Sequence, residues 1–161
     1  MIAVPNKKIA IFPGSFDPFT IGHESVVLRA RDLFETIIVA VGIHSGKQPL
    51  LSAEARVAMI NDIFAGVDNV FAEAYEGLTV DFCKKVNASY MLRGIRTAAD
   101  FEYERAMAQI NKSMLPDVES VFLLTLPEHT PINSTIIRDI IRNNGDASQF
   151  LPGGVDIKKY L

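Results

Sequence analysis

Pro13-Gly14-Ser15-Phe16-Asp17-Pro18-Phe19-Thr20-Ile21-Gly22-His23 is the stretch around which this sequence arranges itself. A short apolar run, Ile9 to Phe12, precedes it, and a helical pattern over residues 24–34 follows. The order is strand, tight loop, helix, the opening of a βαβ unit. Two glycines and two prolines fix the loop. Gly14 lets backbone approach a ligand with no Cβ in the way, and Gly22 repeats this at the helix entry, one residue before His23. A helix N-terminus presents free backbone N–H groups and a partial positive charge, so it favours a phosphate. His23 stands where its ring reaches such a phosphate. The stretch therefore reads as a nucleotide-phosphate site. A Gly-Ser pair alone would equally fit an ordinary strand-to-helix turn with a surface histidine.

Outward from this unit the alternation continues. Strands are expected over 8–12, 36–41, 69–72 and 120–125, with another beginning at Tyr90 and ending at Arg93-Gly94. The helix over 24–34 offers Val27, Leu28, Ala30 and Phe34 as its apolar face. Ser52 caps a second helix that runs through Phe64, with Ala55, Val57, Ala58, Ile60 and Phe64 available for burial. Further helices are expected over 78–86, 98–114 and 135–142, the last opened by Ser134 and closed by Asn144-Gly145. The tail from Ala147 has a Pro-Gly-Gly break and a last short helical piece. β-Branched, continuously apolar strands such as Thr36-Ile37-Ile38-Val39-Ala40-Val41 suit a parallel sheet covered on both faces. The predicted fold is α/β: a doubly wound, Rossmann-like parallel sheet of about five strands with helices on both faces. Residues 1–161 are expected to form one domain. In such sheets ligands bind beyond the C-terminal ends of the strands, at a topological switch point. Functional residues should then fall just after strands.

The bulk numbers limit the partners. The chain has 161 residues, 48% of them hydrophobic, and a net charge of −3. That balance argues against broad electrostatic binding to nucleic acid, which needs a basic surface. It leaves room for a few basic residues around one ligand. The single cysteine, Cys83, excludes an intrachain disulfide and a cysteine-based zinc site, and its apolar neighbours suggest a buried structural thiol. No apolar run approaches the ~20 residues of a membrane span, and residues 1–8 lack the apolar core of a signal peptide. A soluble cytoplasmic protein without membrane contact is expected.

Cationic, hydroxyl and imidazole groups do follow the strands. Ser15 and His23 come after the first, His44, Ser45 and Lys47 after the second, Arg93, Gly94 and Arg96 after the fourth, and His129 to Thr135 after the fifth. This is the composition needed to hold several phosphate groups. Gly42 to Gln48 fails as a P-loop, because three residues rather than four separate its glycines and Gln48 stands where a magnesium-binding Ser or Thr belongs. Lys47 has two readings, a solvated loop lysine or a phosphate ligand. Two arginines flanking Gly94 at a strand end are awkward in a core and suited to phosphate. Asp100 and Glu104, four apart, share a helix face that is either solvated or part of the site. Ser134 serves as an N-cap, and its helix entrance is also an anion site. His44 and His129 carry little alone, and the histidines and Cys83 make no metal-ligand spacing.

Together these residues resemble a family. Gly14-Ser15-Phe16-Asp17-Pro18 followed by Thr20-Ile21-Gly22-His23 looks like the first signature of the nucleotidyltransferase superfamily, and Asn133-Ser134-Thr135-Ile136-Ile137-Arg138 resembles the second. Arg93-Gly94-Ile95-Arg96 and Asp100-Phe101-Glu102-Tyr103-Glu104 narrow the likeness to the bacterial phosphopantetheine adenylyltransferase family. The resemblance runs from about Lys8 to Pro152. It implies transfer of AMP from ATP to 4′-phosphopantetheine with Mg²⁺, in a homohexamer subject to feedback by coenzyme A. It implies that Ser15, Lys47, Thr79 and Arg93 hold phosphopantetheine. It places Ser15, Phe16, His23, Gly94, Ile95, Arg96, Glu104, His129, Thr130, Pro131, Ile132, Asn133, Ser134 and Thr135 at ATP. His23, Lys47 and Arg96 are the implied catalytic groups, and no residue is assigned to hold the metal. Ser15 replaces a common threonine and keeps the hydroxyl, while Asn133 replaces the usual serine near the triphosphate. The rival readings are a transferase of the same superfamily acting on nicotinate mononucleotide or glycerol phosphate, and a nucleotide-binding module without catalysis.

Overall fold

The computed structural model describes residues 8–44, 46 and 48–161. Strands β1 (Ile9–Gly14), β2 (Thr36–Ile43), β3 (Val70–Glu76), β4 (Tyr90–Ile95) and β5 (Glu119–Leu124) alternate with helices α1 (Ile21–Ala30), α2 (Ala53–Ile63), α3 (Thr79–Val86), α4 (Ala98–Met114) and α5 (Ser134–Arg142). All pairings are parallel, in the order β3-β2-β1-β4-β5. The chain works outward from β1, then crosses to its other side, so the switch point lies between β1 and β4. These two strands pair only at Ala10↔Tyr90 and Ile11↔Met91, whereas β1 and β2 stay in register from Ile9↔Thr36 to Gly14↔Val41. The C-terminal halves of β1 and β4 therefore part, and a cleft opens between them.

Alternation along the strands builds two cores, one on each face. Ala10, Phe12, Ile37, Val39 and Val41 pack with Val26 and Val27 of α1, Met59 and Ile60 of α2 and Ile137 of α5. Ile11, Ile38 and Ala40 face the other way, against Val80, Phe82 and Cys83 of α3. Burying both faces of one strand removes water from both sets of side chains, which is why these strands carry no polar alternation. Cys83 is fully buried, and burial pushes its thiol up to about 12, as suits a structural role.

Several boundaries differ from those expected. Pro13-Gly14 reads as a break, yet β1 continues through both residues on its β2 side. α1 starts at Ile21 because Thr20 is its N-cap, and it ends at Ala30. Leu28 is exposed, and Phe34 lies beyond the helix, buried against Tyr90. In α2 the buried residues are Arg56, Met59 and Ile60, while Ala58 faces solvent. β3 extends to Glu76; as an edge strand it tolerates the polar residues that masked its length. Ser134 is not an N-cap: Asn133 caps α5, accepting from Ile136 N at 3.0 Å. Among the described residues no helix is long and apolar enough to cross a membrane.

Candidate active site

The loop after β1 is held from below. Asp17, buried, accepts from the backbone N–H groups of Leu50 and Leu51, both at 2.8 Å, so the β2–α2 connection is tied to it. Arg56 donates to the Ser15 carbonyl at 2.7 Å and to Gly42 at 3.3 Å. Arg138 donates to the Asp17 carbonyl at 2.7 Å, and Ser134 Oγ to the Pro18 carbonyl at 2.8 Å, so α5 closes the same loop from the far side. Phe16 sits at φ +50°, in the left-handed region, and its ring folds back over Gly14. A Cβ at Gly14 would lie 2.8 Å from that ring. Gly14 therefore leaves room for the ring of Phe16, and it also lines both cavities described below. At Gly22 a Cβ would meet His129 and Thr20 only at ordinary contact distance, 3.6 Å.

Thr20 and His23 form a reciprocal cap. The His23 N–H approaches Thr20 Oγ1 at 3.5 Å, and the Thr20 N–H donates to His23 Nδ1 at 3.0 Å. Histidine thus takes the place that Glu or Gln fills in the usual capping box. An Nδ1 that accepts a backbone hydrogen bond carries no proton, so the neutral ring bears its hydrogen on Nε2. The ring packs among Phe12, Phe16 and Phe19, edge-on to Phe16 at 5.0 Å. Burial, and then the nearby charges of Arg96 and Arg93, lower its pKa to about 4. His23 is consequently an uncharged Nε2–H donor on the cavity wall.

Two cavities meet in the cleft, of about 400 Å³ and 310 Å³. Both are lined by Pro13, Gly14, Ser15, Arg93 and Glu104. The first continues past His23, Gly94, Arg96 and His129 to the start of α5, where Ile132, Asn133, Ser134 and Thr135 line it. The second continues past His44, Tyr75 and Thr79 to Met91, Met107, Ala108 and Asn111. The shared wall is organised by Arg93. Its Nε and Nη2 donate to the two oxygens of Glu104 at 2.8 and 2.5 Å, and Nη1 donates to the Pro13 carbonyl. Three of the five guanidinium N–H groups are thereby committed, and two remain for a ligand. Arg93 also bridges the gap where β1 and β4 part. Arg96 pairs likewise with Asp100, Nε to Oδ2 at 3.2 Å. The acidic pair on α4 is therefore tied to the site: each carboxylate pairs with an arginine at the end of β4.

Most residues singled out in the sequence converge here. Ser15, Arg93 and Glu104 border both cavities; Phe16, His23, Gly94, Arg96, His129, Ile132, Asn133, Ser134 and Thr135 line the first. Thr79 lines the second, its hydroxyl 2.9 Å from Tyr75 Oη. Ile95 is buried on β4, and neither it nor Thr130 and Pro131 is among the residues lining the two cavities. Gly94 is fixed by packing, since a Cβ there would come 3.1 Å from Val26. Lys47, with Ser45, lies outside the described residues. Asp17, Arg56, Arg138 and the capping role of Thr20 were not legible as site residues; only Thr20, three positions before His23, carried a local signal, the capping-box spacing.

The geometry agrees with the comparisons to known proteins. The cytidylyltransferase-like family model matches residues 11–140. A phosphopantetheine adenylyltransferase of Leptospira biflexa is 44% identical over 157 residues, 96% of this chain and 98% of that protein. One from Flavobacterium psychrophilum is 46% identical over 149 residues, 92% and 98% of the two chains. Among solved structures, a bifunctional NMN adenylyltransferase/ADP ribose pyrophosphatase of Francisella tularensis, complexed with AMP and a manganese ion, superposes with a TM-score of 0.69 at 18% identity. The match covers 94% of this chain and 46% of that one, and it speaks to the fold alone. The chain belongs to the phosphopantetheine adenylyltransferase family, within the cytidylyltransferase-like nucleotidyltransferases.

Proposed function

We propose that this chain transfers AMP from ATP to 4′-phosphopantetheine, giving 3′-dephospho-coenzyme A and pyrophosphate, the penultimate step of coenzyme A synthesis. The observation that carries the reading is the pair of cavities joined at Ser15 and Arg93, one for each substrate. ATP occupies the first, its triphosphate toward the α5 N-terminus and its α-phosphate toward His23. The acceptor occupies the second, its phosphate at the junction. An oxygen of that phosphate attacks the α-phosphorus in line; the new P–O bond forms as the bond to the bridging oxygen breaks, and pyrophosphate leaves with the electron pair. No side-chain nucleophile is needed. The protein brings two anions together and stabilises charge that grows on the α-phosphate. His23 donates Nε2–H to that oxygen, Arg96 and the α5 amides hold the departing phosphates, and Lys47 with Thr79 and the two remaining Arg93 donors holds the acceptor.

Asp100 and Glu104, the carboxylates lining the first cavity, are engaged by arginines. Among the described residues no cluster of three or more His, Cys, Asp or Glu forms a cation cage. Magnesium is taken to enter as part of the MgATP co-substrate, an ion that keeps several waters and binds through substrate phosphates. The same reading takes the chain as one domain working in the cytoplasm as a homohexamer. Coenzyme A, which shares the phosphopantetheine arm, would compete for the second cavity as a feedback inhibitor.

The test is pyrophosphate release from MgATP with 4′-phosphopantetheine, nicotinate mononucleotide or glycerol phosphate offered as acceptor. Turnover with phosphopantetheine alone is expected. Preference for either of the others would move the chain's activity elsewhere in the superfamily, and no release with any would leave only a nucleotide-binding module.

A further inference from the structure

We propose that His44 is a specificity-determining residue for the acceptor, its imidazole donating a hydrogen bond to the acceptor's phosphate. The inference rests on the phosphopantetheine reading and deepens it. His44 directly follows β2, its side chain is exposed, and it lines the second cavity with Ser15, Tyr75, Thr79 and Arg93. Its place along that cavity is fixed through Gly42. A Cβ at Gly42 would lie 3.3 Å from His44 Nε2, 3.6 Å from Tyr75 Oη and 3.7 Å from the Gly14 carbonyl. The imidazole therefore folds back over the end of β2, beside the end of β1 and one residue before Ser15. This is the junction end of the cavity, since Gly14 and Ser15 border both chambers.

The polar groups at this end are not equivalent. The Gly14 carbonyl is an acceptor and repels an anion. The Tyr75 hydroxyl is already paired with Thr79 at 2.9 Å. Among the described residues no hydrogen bond engages His44, and its ring offers a donor there. Away from the junction the lining is Met91, Tyr103, Met107, Ala108, Asn111 and Ser120, apolar surface with uncharged polar groups. Such a gradient orients a ligand with a phosphate at one end and an uncharged arm at the other. His44 lies at the end that meets the phosphate.

The experiment measures binding of 4′-phosphopantetheine, of pantetheine lacking the phosphate, and of ATP to the full chain by calorimetry, for wild type, His44→Ala and His44→Asn. A hydrogen bond to a charged group is worth enough to expect about tenfold weaker phosphopantetheine binding in His44→Ala. The affinity for pantetheine should not change, ATP affinity should move by less than about twofold, and Asn should restore part of the loss because its amide also donates. An equal loss for both acceptor forms would place His44 on the arm and overturn the proposal. So would unchanged phosphopantetheine affinity, or a loss confined to ATP. Failure of the wild type itself to bind phosphopantetheine would instead overturn the functional reading, and this inference with it.

Discussion

A half-buried histidine beside two arginines, hydrogen-bonded through Nδ1, is suited to act as a neutral donor, and this separates His23 from a simple cationic phosphate ligand. Its imidazole resonances should titrate with a midpoint near 4, and nitrogen shifts should show the Nε2–H tautomer throughout. A midpoint near 6.5 would contradict the geometry of the Thr20–His23 cap. Stability follows with a defined sign. Between pH 6.5 and 4 the unfolded chain binds a proton that the folded site refuses. The contribution of His23 is therefore complete above about 6.5 and falls away as pH drops toward 4. For turnover, removing one donor from such a site costs roughly a hundredfold. His23→Ala should lower kcat by about that factor, with a smaller effect on ATP binding. At this scale the sequence was legible where chemistry is local. The placement of His23 at a helix entry was legible from its neighbours, but its tautomer depends on a backbone hydrogen bond, and the ring of Phe16 that folds back over Gly14 from two residues on left no signal in the sequence. Asn133 and Ser134 exchanged roles for a similar reason: the Ser134 hydroxyl is used by Pro18, far away in sequence.

At the scale of elements, the site depends on the parting of β1 and β4 and on α4, which spans the gap with its carboxylates. Asp100 and Glu104 could be seen to share a helix face; that Arg96 and Arg93 stand opposite them is a tertiary fact that no spacing encodes. The side chains of Arg93 and Glu104 are 30% and 14% exposed, so the pair is partly desolvated and its geometry is held firmly. On the proposed function, Glu104 would act by positioning Arg93 at the shared wall. Groups that work as a unit give non-additive losses. Glu104→Ala should lower kcat/KM for the acceptor by about tenfold or more, and Arg93→Ala by at least as much. The double variant should be no worse than Arg93→Ala alone. Additive losses would show that Glu104 touches substrate independently of Arg93, as the family resemblance for ATP implies. The element order and α4 itself were read correctly because they rest on continuous apolar runs and a long helical period. The start of α1 and the length of β3 were missed because one is set by a cap and the other by an edge where polar residues are tolerated.

At the scale of the whole molecule, a sheet buried on both faces accounts for the apolar strands, and the return of the chain across β1 accounts for the site's location. It leaves α4 unexplained. This helix has 17 residues, none of them buried, and exposes Phe101, Tyr103, Met107, Ile110 and Met114. A helix that packs only against its own sheet buries a stripe of its apolar residues, and an exposed apolar surface of this kind would suit the proposed assembly of copies. Ile110 is the sharpest probe, being 57% exposed and absent from the residues lining either cavity. A carboxylate there would face an apolar partner surface without a counter-charge, a cost of several kcal/mol per contact. Light scattering coupled to size exclusion should give wild type at a multiple of its 17.7 kDa chain mass, with six copies proposed. Ile110→Glu should fall to a smaller species. The substitution removes nothing from either core cluster, so the far-ultraviolet circular dichroism spectrum of the smaller species should match wild type. A monomeric wild type would refute the assembly outright. A variant that assembles as wild type does would move the interface off α4.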